Sequence, residues 1–134
     1  MSQTVIENPI INSPFEEPTR HFRFDDDGIT NNIDQTRRIS SYFIPVAQPR
    51  RTGRQLPLTD WIAERIEPND EINRIRSRVA LWRQGGYPSI TKMSSRLLEY
   101  WQREDRERRL FFCQIEALET VIYITEAAKK YGDA

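Results

Sequence analysis

A helix that is apolar on most of its sides cannot stand alone in water, and this chain carries one at its end. From 111 to about 130 the pattern is helical, and Leu110, Phe111, Phe112, Ala117, Leu118, Val121, Ile122 and Ile124 occupy much of the circumference. Such a helix needs cover on several sides. With 134 residues the chain can form one modest domain, and hydrophobic residues make up 37% of it against 30% charged. Part of its length is therefore expected to pack poorly until a partner covers it.

Upstream, the punctuation changes. Prolines at 9, 14 and 18 each remove an amide donor and turn the preceding residue away from helix, so 1–19 reads as an extended arm. Arg20-His-Phe-Arg-Phe-Asp25 alternates with period two, as a half-buried strand does, and Asp25-Asp-Asp-Gly28 reads as a turn. Ile39-Ser-Ser-Tyr-Phe-Ile-Pro-Val46 is a second strand, with Pro45 at a sheet edge. A small β-hairpin is expected over 20–46. Residues 47–57 hold two prolines, a glycine and three arginines without apolar period, and read as a basic linker. The region 58–134 is helical. Thr59 caps a short helix through Ile66 that Pro68 stops, and Asn69 or Asp70 caps the next, with Ile72, Ile75, Val79 and Trp82 on one face before Gly85-Gly86. A third begins near Thr91 with Met93, Leu97, Tyr100 and Trp101 on one face. The expected fold class is α+β, mainly α, with about four helices.

Acids and bases balance at 20 each, so no net field draws the molecule to a polyanion or a membrane. The balance is uneven along the chain. Residues 1–34 are acidic, while 74–109 are rich in arginine. Arg74, Arg78 and Arg83 share a helix with Trp82 and could fork onto phosphates, with an aromatic to stack on a base. Interleaved acids, Glu71, Glu99, Glu104, Asp105 and Glu107, and the place of Trp82 on the apolar stripe favour a salt-bridged solvated face over nucleic-acid contact.

Catalytic sets fail one by one. His21 is the only histidine and Cys113 the only cysteine, so no nucleophile has an evident base, no disulfide forms within the chain, and no cysteine-based zinc site can assemble. Asp25, Asp26 and Asp27 point in different directions as a solvated turn, and Gly28 comes too early for a calcium loop. None of Lys92, Lys129 and Lys130 follows an acid by two residues, as a restriction-type nuclease centre requires. No glycine-rich loop ending in lysine and serine or threonine cradles a triphosphate. No metal site is expected, and the chain alone is not expected to be an enzyme.

Gln114 remains. Its amide offers a donor and an acceptor, which complement N7 and N6 on one edge of adenine. Beside Phe111 and Phe112 at a helix start, it could read a base that a ring holds. For a lone glutamine beside phenylalanines, a buried or capping amide is the preferred reading, and spacing alone does not carry the adenine one.

The surrounding residues add a resemblance. Arg109-Leu-Phe-Phe-Cys-Gln-Ile-Glu-Ala-Leu-Glu-Thr-Val-Ile-Tyr-Ile-Thr-Glu126 resembles the segment before the first motor domain in helicase subunits of type III restriction enzymes, members of helicase superfamily 2, where a Gln-x-x-Ala helix forms the Q motif. Asn8-Pro-Ile-Ile-Asn-Ser-Pro-Phe-Glu-Glu-Pro-Thr-Arg-His-Phe-Arg-Phe-Asp25, Ser41-Tyr-Phe-Ile-Pro45 and Val79-Ala-Leu-Trp-Arg-Gln-Gly-Gly-Tyr-Pro88 also look like the leader of these subunits. The resemblance implies an ATP-driven DNA translocase and endonuclease that uses Mg2+ and works with a methyltransferase subunit. The family's phosphate loop, magnesium-binding acids, arginine fingers and nuclease lysine have no counterpart in these residues. Only Gln114 carries over as adenine reader, with Phe112 or Phe111 as the stacking ring, since Cys113 stands where many relatives have an aromatic.

On this reading the chain is the N-terminal fragment of an ATP-dependent restriction helicase subunit: an incomplete domain of marginal stability, lacking the motor domain and contributing adenine recognition only. The alternative is a small non-enzymatic module for nucleic acid or protein interaction, and a third reading is an inactive remnant. A polar Met1–Thr4 and the absence of a long apolar run point to a cytoplasmic protein without a membrane segment.

Overall fold

The computed structural model describes residues 5–25, 28–43 and 66–133. The chain is α+β, mainly α, and divides into two compact units, one of Met1–Asn12 with Pro18–Asn73 and one of Ser13–Glu17 with Arg74–Ala134.

In the first unit, strand β1 (His21–Asp25) pairs antiparallel with β2 (Gly28–Asp34), in the register Phe22 to Ile33 and Phe24 to Ile29. Gly28 takes φ +116°, a conformation open to glycine and strained for other residues. The hairpin therefore exists, but its second strand is 28–34 and not 39–46. Asp25 pairs directly with Gly28, so Ile-Thr-Asn-Asn-Ile forms the return strand despite its two asparagines, which have poor strand propensity. Arg23 Nε to Asp34 Oδ2 at 3.3 Å ties the two strands across their face.

The expected strand at 39–46 is present as β3 (Ser41–Phe43), antiparallel to β4 (Ile66–Pro68). Ile66 thus lies in a strand where a helix end was expected; the remainder of that short helix and the 47–57 linker fall outside the described residues. Asn73 locks the arrangement from the side. Its Oδ1 accepts from Ser40 N–H at 2.8 Å and its Nδ2 donates to Ser40 C=O at 2.9 Å, so the next helix starts against the strand.

Helix α1 (Asp70–Gln84) opens with Asp70 and Glu71 and closes with Arg83, as the helix dipole favours. Gly86, at φ +82°, ends it where the glycine pair predicted. Of the expected stripe, Val79 and Trp82 are buried and Ile75 packs partly against them, while Ile72 is exposed. Helix α2 (Lys92–Trp101) starts at Thr91, whose Oγ1 accepts from Ser94 N–H at 3.2 Å.

The buried face of α2 differs from the expected one by one residue. Ser94 and Leu98 point inward, while Met93, Leu97 and Tyr100 are exposed. Leu97-Leu98 and Tyr100-Trp101 are apolar doublets, so periodicity alone is satisfied by either phase. Glu126 decides between them by accepting from Thr91 N–H at 2.9 Å and from Ser94 Oγ at 2.6 Å, which fixes the first turn of α2.

Helix α3 (Phe112–Ile122) continues into a π-helical stretch, Tyr123–Ala127, and a 3-10 turn, Ala128–Tyr131. It is buried along one stripe of Ile115, Glu119, Tyr123 and Ala127, not on several sides; Val121 and Ile124 are exposed. A spacing of four overshoots an α-helical turn by about 40° at each step. The wider turn at 123–127 takes up that drift and brings Tyr123 and Ala127 back over the core with Val79, Trp82 and Leu98. Among the described residues no helix is long and apolar enough to cross a membrane.

Candidate functional site

The first turn of α3 leaves backbone N–H groups that the helix itself cannot satisfy. Phe111 stands at the cap position in an extended conformation, and its N–H donates to Gln114 Oε1 at 2.9 Å. A phenylalanine side chain accepts nothing, so only the glutamine half of a capping box is present. The N–H of Phe112 donates to Pro14 C=O at 2.8 Å. Gln114 is therefore an exposed capping amide, with one carbonyl lone pair committed to Phe111.

Helix geometry separates the two phenylalanines. At about 100° per residue, Phe112 and Gln114 lie about 200° apart around the axis. Phe112 turns with Ile115 and Glu119 into a cleft of about 360 Å³ that Phe15, Trp101 and Arg83 also line. Phe111 remains on the outer side, 49% exposed, with its ring 5.7 Å from Phe15. The guanidinium of Arg109 covers Phe15 at 4.2 Å. Gln114 and Phe111 are thus neighbours, and Phe112 belongs to a different surface.

That surface is organised by a buried charge. Glu119 has no solvent exposure, and its Oε2 accepts from Arg83 Nε at 2.7 Å and from the Tyr87 hydroxyl at 3.1 Å. Gln102 Nε2 in turn donates to the Tyr87 oxygen at 3.0 Å. Arg83 also meets Glu17 at 3.2 Å and Glu116 at 3.7 Å, and lies 5.0 Å over the ring of Phe112. Burial works against its charge, but the hydrogen bond and charge of Glu119, with Glu17 behind them, outweigh it and raise the Arg83 pKa. Tyr87 reaches this network from a left-handed backbone, φ +57°, a strained state for a bulky side chain.

Two of the three arginines expected to meet phosphate are engaged with acids. Arg83 is held as described, Arg78 lies 3.5 Å from Asp133, and Arg74 is not a free cation either. A phosphate would have to displace carboxylates to reach Arg83 or Arg78. Glu119, Tyr87 and Gln102 escaped the reading of the sequence. The one available signal was a glutamate placed four residues after Ile115 on an otherwise apolar helix face. Among the described residues no group of His, Cys, Asp and Glu is arranged to hold a metal ion.

Two tyrosines make the fold sensitive to alkali. Burial and then the charge of Glu119 push Tyr87 up to about 12, and burial and then the hydrogen bond to Asp133 push Tyr123 up to about 12, from an ordinary value of 10.0. A pKa raised in the folded state stabilises it fully below the ordinary value, and the contribution is lost as pH rises through the folded one. The urea midpoint followed by circular dichroism should hold steady to about pH 10 and fall between about pH 10 and 12. A midpoint unchanged through pH 12 would show that neither hydroxyl is held as described.

Compared with protein-family models, with curated proteins and with solved structures, the chain matches none.

Proposed function

We propose that the chain is the N-terminal leader of an ATP-driven restriction helicase subunit of the type III kind, and that the first turn of α3 contributes the adenine-reading group of its nucleotide site. The observation that carries this reading is the placement of Gln114, exposed at the start of α3 beside an exposed aromatic, with its amide oriented by Phe111 N–H. The carbonyl keeps a second lone pair for the adenine N6 amine, while the amide NH2 can donate to N7. The cap holds the plane that the base must meet, which lowers the ordering cost of binding. Of the two rings implied by the resemblance, Phe111 shares a side of the helix with Gln114 and is the stacking residue of this proposal. Mg2+, the phosphate-binding machinery, DNA and the methyltransferase partner enter from the resemblance, as does a cytoplasmic location.

The proposal is tested by titrating the isotope-labelled chain with ATP and with GTP and following the Gln114 side-chain amide and the Phe111 ring by NMR. Adenine nucleotide should shift both at millimolar concentration, with a weaker response to GTP. Gln114→Ala should abolish the Phe111 ring response while costing about 0.5–1.5 kcal/mol of stability, the usual worth of one capping hydrogen bond. Equal responses to the two nucleotides, or an unchanged response in the variant, would remove the assignment.

A second reading, a small protein-interaction module, is favoured by the outer face of α2, where Met93, Leu97 and Tyr100 at helical spacing are exposed. Scattered single apolar residues need no explanation, but three on one helix face form a patch.

A further inference from the structure

The cleft beside Phe112 has a chemistry that adenine reading does not use. Glu119 contributes to its lining although none of that residue is exposed to solvent, so it forms the floor. Its Oε2 is occupied by Arg83 and Tyr87, but among the described residues nothing hydrogen-bonds Oε1, and Arg83 Nη2 likewise lacks a hydrogen-bond partner. Buried polar atoms are nearly always satisfied, and a carboxylate is the costliest kind to leave open. Arg83 pairs with Glu119 at 2.7 Å, but the cleft as a whole keeps a surplus of acids. Four carboxylates line the cleft against three arginines, and one of those, Arg103, is already closed on Asp105 at 2.9 Å. Glu116 adds another acid behind Arg83.

Arg83 Nη2 at least faces a carboxylate, Glu116 Oε2 at 3.7 Å, whereas a ligand that satisfies Glu119 Oε1 must bring a donor and positive charge. A nucleotide brings phosphate to a surface with surplus carboxylates, which like-charge repulsion disfavours. The walls narrow the choice further. Phe15, Trp101 and Phe112 are flat rings, and two of them already carry guanidinium groups of this chain, Arg109 at 4.2 Å and Arg83 at 5.0 Å. A planar guanidinium both stacks on aromatic faces and forks onto a carboxylate, whereas an ammonium does only part of this. A volume of about 360 Å³ is at the small end for ligand sites and suits the head of one side chain.

We propose that this cleft receives an arginine side chain of a partner protein, its guanidinium lying between the aromatic walls and, as the lining side chains part, donating to Glu119 Oε1, which is closed to water in the free chain. The strained loop at Tyr87 then has a purpose: it holds the Glu119 carboxylate by one oxygen and leaves the other for the incoming donor. The site is independent of Gln114, which lies on the other side of α3.

The test titrates the whole chain with N-acetyl-arginine amide, follows the assigned indole resonance of Trp101 by NMR, and repeats the titration with N-acetyl-lysine amide and with ATP. Arginine amide should shift Trp101 saturably. Lysine amide should bind about tenfold more weakly, the difference expected for losing one charge-assisted hydrogen bond, and ATP should leave the resonance unmoved. Glu119→Gln, which keeps the shape and removes the charge, should weaken arginine binding about tenfold. Should that variant fail to fold, Glu104→Gln on the exposed rim should weaken binding by about two- to threefold at low salt and by less at high salt. A linear response without saturation, equal binding of lysine and arginine, or a Trp101 shift caused by ATP would each overturn the proposal, as would a folded Glu119→Gln or Glu104→Gln chain that binds arginine amide unchanged.

Discussion

Arg83→Met should lower the unfolding free energy by about 3–5 kcal/mol, because it strands a carboxylate that has no access to water. Glu119 is fully buried, and Arg83 Nε is its closest charged partner at 2.7 Å. The methionine would replace most of the apolar stem but none of the charge, and among the described residues no other cation pairs with Glu119 in its place. The diagnostic comparison is the double variant Arg83→Met/Glu119→Leu. Replacing both members of a buried ion pair by apolar side chains is often neutral, so stability should return to within about 1–2 kcal/mol of the natural chain. Urea denaturation of the four proteins completes the cycle. A double variant as unstable as Arg83→Met would show that the arginine acts through packing and not through Glu119.

Trp82→Ala should cost about 3–5 kcal/mol, the usual loss on truncating a buried aromatic. Trp82 is 5% exposed and lies where the core elements converge, its ring 4.8 Å from that of Tyr87 and 5.5 Å from that of Tyr123. Its Nε1 donates to Pro88 C=O at 2.9 Å, which closes the loop that carries Tyr87. The same substitution should therefore loosen Tyr87 from Glu119. Trp82→Phe separates the two roles: it retains an aromatic plug, loses the indole donor, and should cost about 1–2 kcal/mol. Both values are read from chemical denaturation, with hydrogen exchange at Tyr87 N–H reporting on the loop. Exchange unchanged in Trp82→Ala would mean that the loop is held by the backbone alone. Because domains are stable by only about 5–15 kcal/mol, either of the two larger losses could approach the whole margin.

These residues also explain where the sequence was readable. Gly85-Gly86 ends α1, Thr91 starts α2, and Gln114 caps α3 because each acts over three or four residues, through backbone freedom or one short hydrogen bond. The capping alternative for Gln114 was open from spacing alone, and the described geometry provides it. Phase was not readable in α2, where the Leu97-Leu98 and Tyr100-Trp101 doublets satisfy two faces equally, and Glu126, distant in sequence, selects one. Nor could the strand partners be assigned, since β1 turns back on the weak strand at 28–34 while Ser41–Phe43 pairs with Ile66–Pro68 across a long separation.

The sequence by itself determined the mainly helical second part, the turn glycines and the helix caps, all of which rest on steric limits and hydrogen bonds among near neighbours; the expected extended arm is instead closed into a loop at 12–20, where Asn12 donates to Arg20 C=O at 2.9 Å and accepts from Thr19 N–H at 3.3 Å. Only the tertiary structure decided that Arg83 belongs to Glu119 and Glu17, 36 and 66 residues away along the chain. It also decided that Phe111 and Phe112 serve different surfaces and that the closing apolar helix buries a single stripe. The physical reason is one of range. Backbone preference is written locally, whereas the partner of a charge or the buried phase of a helix depends on which distant side chains reach it once the chain has closed.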